Sequence, residues 1–304
     1  MEITILGTSS AIPIPGRNLS GTVLKYENEY VLFDCGEGTQ FSIRKLQLHP
    51  SKIKTICITH LHGDHSFGLP GLISGINYSN KSDFLTIIGP VGIKELLEVS
   101  QKHQQFFADF PIEIRELDFM NQPGIVYDSN LYSISAISLN HRIPAFGYRF
   151  DEHPKAGKLD VDLAERLGVQ KGPLLRELKE GRSVVSETGK TIFPSDVLAE
   201  PKPSKSFSYI TDTRYCSRSV ALAKGSDLLM HEATYLHELK AKADETGHST
   251  AFEAGTIAKE AGVKKLVLFH YSARYPNLNP LYREAIAVFP ATHMGNDFET
   301  LRIE

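Results

Sequence analysis

The segment His60-Leu61-His62-Gly63-Asp64-His65 places three histidines and an aspartate within six residues, directly after an apolar run. Neutral imidazole and carboxylate are donors that Zn²⁺ accepts at about 2.0–2.2 Å. At the end of a strand, alternate spacing lets His60 and His62 point at one ion. Asp64 and His65, in the following turn, can serve a second. The pattern differs from the helical HExxH arrangement, in which the ligands lie one turn apart. Helix capping and surface placement are the non-functional alternative, and three histidines in six positions argue against it.

The elements that must position these residues follow from apolar runs ending in polar or glycine-rich turns. Glu2–Leu6, Tyr30–Phe33, Lys54–Thr59, Tyr132–Leu139, Ser208–Ile210 and Lys265–Phe269 read as buried strands. Helical periodicity marks Gly92–Ser100 and Ser249–Ala261, the latter with Gly262 where a C-cap belongs. Strands interleaved with helices over the whole length predict an α/β architecture. His141, Asp212 and His270 each come just after such a strand, so in a shared sheet their ends converge on one edge. Seven candidate ligands result, enough for a two-metal site with one bridging carboxylate. Two such ions, about 3.5–4 Å apart, activate water and clamp phosphoryl oxygens for in-line displacement.

The chain has 304 residues, 41% hydrophobic and 23% charged, with 33 Lys+Arg against 36 Asp+Glu and a net charge of −3. Collagen-like, disordered and disulfide-scaffold classes are excluded. No apolar run approaches the ~18 residues of a membrane helix. The N-terminus shows no signal-peptide pattern, and Cys35, Cys57 and Cys216 form no framework, so the expected location is cytoplasmic. The mild acidity looks unfavourable for a nucleic-acid partner, but local placement decides phosphate binding, and two bound Zn²⁺ would bring the formal total from −3 to +1. Residues 151–205 differ from the rest: they are polar and Gly/Pro-punctuated, with helical stretches near Asp160–Leu167 and Leu174–Glu180. They read as an insertion with structure of its own.

HxHxDH is the hallmark of the metallo-β-lactamase superfamily. Within it the chain resembles, end to end, the short form of the tRNase Z (ribonuclease Z) family. Phe33-Asp34-Cys35-Gly36-Glu37-Gly38-Thr39-Gln40 matches its first motif, and His231-Glu232-Ala233-Thr234 and His248-Ser249-Thr250 match two further ones. The resemblance implies one catalytic domain over residues 1–304, an αββα four-layer sandwich with a flexible exosite arm at 151–205. It assigns His60, His62 and His141 to one zinc, Asp64, His65 and His270 to the other, and Asp212 to both, with Mn²⁺ a possible substitute. Asp64 is the implied proton acceptor and His248 the proton donor, held by Glu232, while Asp34 orients a metal-binding histidine. His231 is expected to be structural, and His49, His103, His153, His237 and His293 ordinary.

The implied substrate is precursor tRNA, cut at its 3′ trailer to leave a 3′-hydroxyl on the tRNA. The arm, with Lys171-Gly172-Pro173 and the basic Arg176, Lys179 and Arg182, would grip the tRNA elbow. Pro13–Asn18 resembles the family loop PxKxRN with Pro15 in place of lysine, leaving Arg17, and Arg274 is a further phosphate contact. The family implies a homodimer, with no membrane association and no other protein partner. The rivals are a binuclear phosphodiesterase acting on small substrates and an RNA-binding protein with an inert site.

Overall fold

The structure, a computed structural model, describes residues 1–79, 81, 83–105, 108–201 and 203–304. It divides into two compact units. The larger comprises Met1–Ser129, Ser133–Phe150 and Lys205–Glu304, and the smaller Asn130–Tyr132 and Asp151–Ser204.

Two seven-stranded sheets organise the larger unit. In spatial order the first is Thr300–Arg302, Glu2–Gly7, Gly21–Tyr26, Glu29–Phe33, Ile53–Cys57, Leu85–Pro90 and Ile112–Leu117. The second is Thr292–Met294, Leu266–Phe269, Leu228–Glu232, Ser206–Ile210, Phe146–Glu152, Tyr132–Ser138 and Gly124–Asp128. Their central strands are almost wholly buried because both faces are covered. Within Glu29–Phe33 successive side chains take opposite faces. Leu32 packs with Ile43, Leu72 and Ile73 of the flanking helices, while Phe33 meets Phe207 and Tyr209 of the other sheet, each at 5.4 Å between ring centroids. Tyr26 and Phe150 continue this aromatic seam at 5.5 Å. On the outside of the second sheet, Ala254, Ile257 and Ala258 of the helix Ala251–Ala261 pack against Leu229 and Leu268. The layers are therefore helix, sheet, sheet, helix, the expected sandwich.

The expected strand Lys54–Thr59 ends earlier, at Cys57. Ile58 N–H still reaches Ile88 O (2.8 Å), but Thr59 N–H leaves the ladder and donates to Asp34 Oδ1 (2.8 Å). The turn expected at Asp64 and His65 is a four-residue helix, Gly63–Ser66. The smaller unit holds helices Val161–Arg166 and Pro173–Lys179, a two-stranded pairing of Val184–Val185 with Thr191–Ile192, and its own core of Ala164, Val169, Leu178, Val184, Ile192 and Val197.

Candidate metal and catalytic centre

Local backbone geometry turns the site residues out of the sheets. Asp34 (φ 57°), Asp212 (φ 45°) and His270 (φ 59°) all adopt the left-handed conformation one or two residues past a strand end. Side chains with a Cβ rarely take this conformation, and such strain concentrates at functional sites. His248 is placed by the elements on both sides of it. The helix Lys240–Thr246 ends on left-handed Gly247, and Thr250 opens the next helix through a reciprocal capping box with Glu253. Ser249 Oγ donates to Thr213 O (2.6 Å), tying the turn to the residue after Asp212.

The seven candidate ligands converge in two sets that share Asp212. His60 Nε2, His62 Nδ1, His141 Nε2 and Asp212 Oδ2 form the first, with separations of 3.0 Å (His60–His62), 3.4 Å (His62–His141), 3.5 Å (His60–Asp212) and 3.8 Å (His141–Asp212). In the second, His65 Nε2 and His270 Nε2 lie 3.2 Å apart. They are 3.4 and 3.6 Å from Asp64 Oδ2, and 3.3 and 3.1 Å from Asp212 Oδ1. Four donors about 2.1 Å from a tetrahedral ion stand about 3.4 Å apart, so both sets have the spacing of a filled coordination shell.

The outward ring nitrogens give a second, independent test of fit. His60 Nδ1 meets Thr59 Oγ1 (3.0 Å), His65 Nδ1 meets Asp34 Oδ2 (2.8 Å), His141 Nδ1 meets Gly247 O (2.7 Å) and His270 Nδ1 meets Thr234 Oγ1 (3.0 Å). Each outward N–H has an acceptor, so each Nε2 presents a lone pair to the centre. This is the arrangement a histidine ligand requires. The two Thr hydroxyls can accept because each gives its own proton to a carboxylate: Thr59 to Asp34 (2.9 Å) and Thr234 to Glu232 (2.6 Å). Asp34 is the hub, accepting in addition from Tyr209 OH (3.1 Å).

Electrostatics keep three of the ring ligands ready for an ion, whereas His65 must give up a proton when one binds. Burial holds His60, His62 and His141 below the ordinary histidine pKa, keeping them neutral. Burial acts the same way on His65, but Asp212, Asp64 and Asp34 outweigh it and raise its pKa. Burial opposes the charges of Asp64 and Asp212, and the surrounding imidazoles overcome it and hold both carboxylates ionised. His248 Nδ1 lies 3.2 Å from Glu232 Oε1, and against the effect of burial Glu232 and Asp212 push its pKa up to about 9. The paired Glu232 is correspondingly lowered despite burial, and its Oε1 also accepts from Thr213 N–H (2.7 Å).

His231 is fully buried, its Nδ1 2.8 Å from Glu232 O and its Nε2 without a hydrogen-bond partner among the described residues. The remaining five histidines belong to no converging set among the described residues. In the loop resembling PxKxRN, Pro15 and Gly16 (φ 84°) are the centre of a tight turn closed by Arg17 N–H to Ile14 O (2.9 Å), the type II preference. Arg17 Nη2 donates to Tyr275 O (3.0 Å) and Nη1 is unpaired. Arg274 is exposed, 4.9 Å over the ring of Tyr235, which itself stands edge-on to His248 at 6.1 Å. Lys171, Arg176, Lys179 and Arg182 lie in the smaller unit. There Lys171 pairs with Glu165 (2.9 Å), Arg176 with Glu180 (2.7 Å), and Arg182 with Glu177 and Glu180.

Thr59, Tyr209 and Gly247 were not singled out from the sequence, and Thr234 was named there only as the last residue of a family motif. Gly247 carries a readable signal, standing directly before His248. A Cβ there would lie 2.6 Å from His141 Nδ1, and its φ of 85° favours glycine in any case.

The sandwich and its converging His/Asp sets define the class, a metallo-β-lactamase-fold protein with groups that could hold metal ions. A family model described as a beta-lactamase superfamily domain matches residues 187–271, and one described as anti-Pycsar protein Apyc1 matches residues 1–105. Over its full length the chain is 39% identical to ribonuclease Z of Salinibacter ruber, covering 95% of that protein, and 40% identical to ribonuclease BN of Escherichia coli K12, covering 100% of it. The crystal structure of the short form of human tRNase Z aligns over 100% of both chains with a TM-score of 0.71 at 30% identity. The chain belongs to the ribonuclease Z family.

Proposed function

We propose that this protein is a metal-dependent endoribonuclease that removes the 3′ trailer from precursor tRNA and leaves a 3′-hydroxyl on the tRNA. The observation that carries the reading is Asp212, which offers one carboxylate oxygen to each of two complete ligand sets. Its support in sequence is the full-length identity to ribonucleases Z and BN.

The first ion would be held by His60, His62, His141 and Asp212, and the second by Asp64, His65, His270 and Asp212. The all-nitrogen-and-carboxylate donor set suits Zn²⁺, with Mn²⁺ a possible substitute. When bound, the pair would lower the pKa of a water and neutralise charge on the phosphoryl oxygens. Asp64, ionised and facing the second set, accepts the proton of the attacking water. The P–O3′ bond breaks as the water oxygen bonds to phosphorus, and the protonated His248, held at Nδ1 by Glu232, gives the proton from its other nitrogen to the departing 3′ oxygen.

Arg17 and Arg274 are the phosphate contacts of the larger unit, and residues 151–205 are the arm that holds the tRNA elbow. The exposed ion pairs of Lys171, Arg176 and Arg182 are no obstacle, since water and salt screen them and a phosphate can displace them. The homodimer rests on the family resemblance alone. Among the described residues no helix is long and apolar enough to cross a membrane. The three free cysteines suit the cytoplasmic location proposed here.

The test incubates trailer-bearing precursor tRNA with the protein, with and without chelator, and maps the ends. A chelator-sensitive cut after the discriminator is expected. Hydrolysis confined to small phosphodiesters would overturn the reading in favour of a small-substrate enzyme. Asp64→Ala should abolish cutting while sparing tRNA binding.

A further inference from the structure

Residues 8–20 join the strands Glu2–Gly7 and Gly21–Tyr26, and at Ala11 this loop touches the centre: Ala11 N–H donates to Asp64 Oδ2 (2.8 Å). The same oxygen faces His65 Nε2 and His270 Nε2. The donor is aimed by an unusual turn. Ile12 N–H bonds back to Ser10 O (2.7 Å) around Ala11 at φ 62°, a γ-turn of the rare, strained hand. Such a conformation persists only where the surroundings over-determine it.

What over-determines it lies at the base of the loop. Thr8 Oγ1 donates to Asp297 Oδ1 (2.7 Å) and Asn18 N–H to Asp297 Oδ2 (2.6 Å), so one carboxylate holds both ends. Ser9 N–H to Asn18 O (2.8 Å) and Ser10 N–H to Tyr271 O (3.1 Å) continue the closure. Gly7 permits it, since a Cβ there would sit 1.9 Å from Leu19 O. Inside the loop, Ser9 Oγ donates to Ile12 O (2.7 Å).

We infer that Asp297 is a positioning residue for the reaction: by tying Thr8 to Asn18 it keeps the Ala11 turn strained and its N–H on Asp64. The inference rests on the reading of Asp64 given above. Hydrogen bonds to an ionised acceptor are the strong ones, so the base of the loop is the place where strain at its turn can be sustained. Without Asp297 the base opens, Ala11 relaxes to negative φ, and its N–H swings away. Asp64 then turns freely instead of facing His65 and His270.

The experiment uses the zinc-loaded full chain with bis(p-nitrophenyl) phosphate as substrate and chelator competition as a second readout. Asp297→Ala should lower kcat about 10-fold with KM nearly unchanged, the usual size for removing support behind a metal ligand. It should also release one zinc equivalent faster than the other. Asp297→Asn, which keeps one acceptor, should recover part of the loss. Ala11→Pro removes the donor itself and should match Asp297→Ala, and the double variant should be no worse than Ala11→Pro alone. Wild-type kcat and zinc release in Asp297→Ala, or losses that multiply in the double variant, would overturn the inference. Asp64→Ala serves as the separate control. If it cleaves and binds zinc normally, the reading of Asp64 fails, whereas its inactivity beside a normal Asp297→Ala overturns the loop inference alone.

Discussion

Replacing Asp34 by asparagine separates a change of tautomer from a change of packing. Asp34 is fully buried, and apart from Thr59 Oγ1, which lies within 3.1 Å of both, its two oxygens have different partners. Oδ1 accepts from Thr59 N–H (2.8 Å), which cannot reverse its polarity. Oδ2 accepts from His65 Nδ1 (2.8 Å) and Tyr209 OH (3.1 Å). An asparagine must keep its carbonyl toward Thr59, because the opposite flip sets two N–H donors against each other. Its NH₂ then faces His65, whose Nδ1 must become an acceptor, and the ring proton moves to Nε2. There it points at Asp212 Oδ1, 3.3 Å away, forms a hydrogen bond, and takes the lone pair from the second ligand set.

The metal-free variant should therefore lose only about 1–3 kcal/mol of stability, since every buried polar group keeps a partner. Affinity for one of two zinc equivalents should fall about 10–100-fold, which is about 1.4–2.8 kcal/mol. Calorimetric unfolding of the metal-free protein and chelator-competition titration measure the two terms separately, and excess zinc should restore part of the activity. Wild-type affinity for both equivalents in a folded Asp34→Asn variant would refute the tautomer argument. A collapse of the metal-free fold would refute it from the other side.

Gly247→Ala sets a Cβ 2.6 Å from His141 Nδ1 at a φ of 85°, so about 1–3 kcal/mol of stability should go, together with zinc affinity at the first ligand set; denaturant unfolding and zinc titration check it. Asp227 accepts from Ser206 N–H (2.7 Å) and pairs with Lys264 (2.6 Å), and against the effect of burial these contacts lower its pKa. A carboxyl lowered in the folded state contributes stability above its ordinary pKa and loses it as pH falls through the folded value. Asp227→Asn should thus cost about 1 kcal/mol at neutral pH and nothing in strong acid, read from denaturant midpoints across pH. Alanine at Arg176, Lys179 and Arg182 together should raise KM for precursor tRNA and leave hydrolysis of a small phosphodiester unchanged; equal losses on both substrates would argue that these residues support the fold instead.

The seven candidate ligands were legible in the sequence because each stands just past an apolar run, and strand ends on one sheet edge converge in any α/β sandwich, whereas Glu232 and His248 were legible only through the family motifs that contain them. The helix at Ala251–Ala261, with its Thr250 cap and Gly262 stop, was legible for the same local reason. Thr59 and Tyr209 were not, and Thr234 was visible only as the end of a family motif, without its role. Threonine and tyrosine suit strands for their shape alone, so their hydroxyls carry no signal until the two sheets stack and bring Tyr209 against Asp34. The basic residues at 171–182 were visible as a cluster, but their pairing with Glu165, Glu177 and Glu180 depends on how the short helices of the smaller unit turn.

Residue type and position after apolar runs thus determined which side chains are candidates to hold metal, because ligand chemistry resides in the side chain itself. Only the tertiary structure decided which nitrogen of each histidine faces the centre. That choice depends on the acceptor behind the ring, and Asp34, Thr234 and Gly247 O reach their histidines from distant parts of the chain.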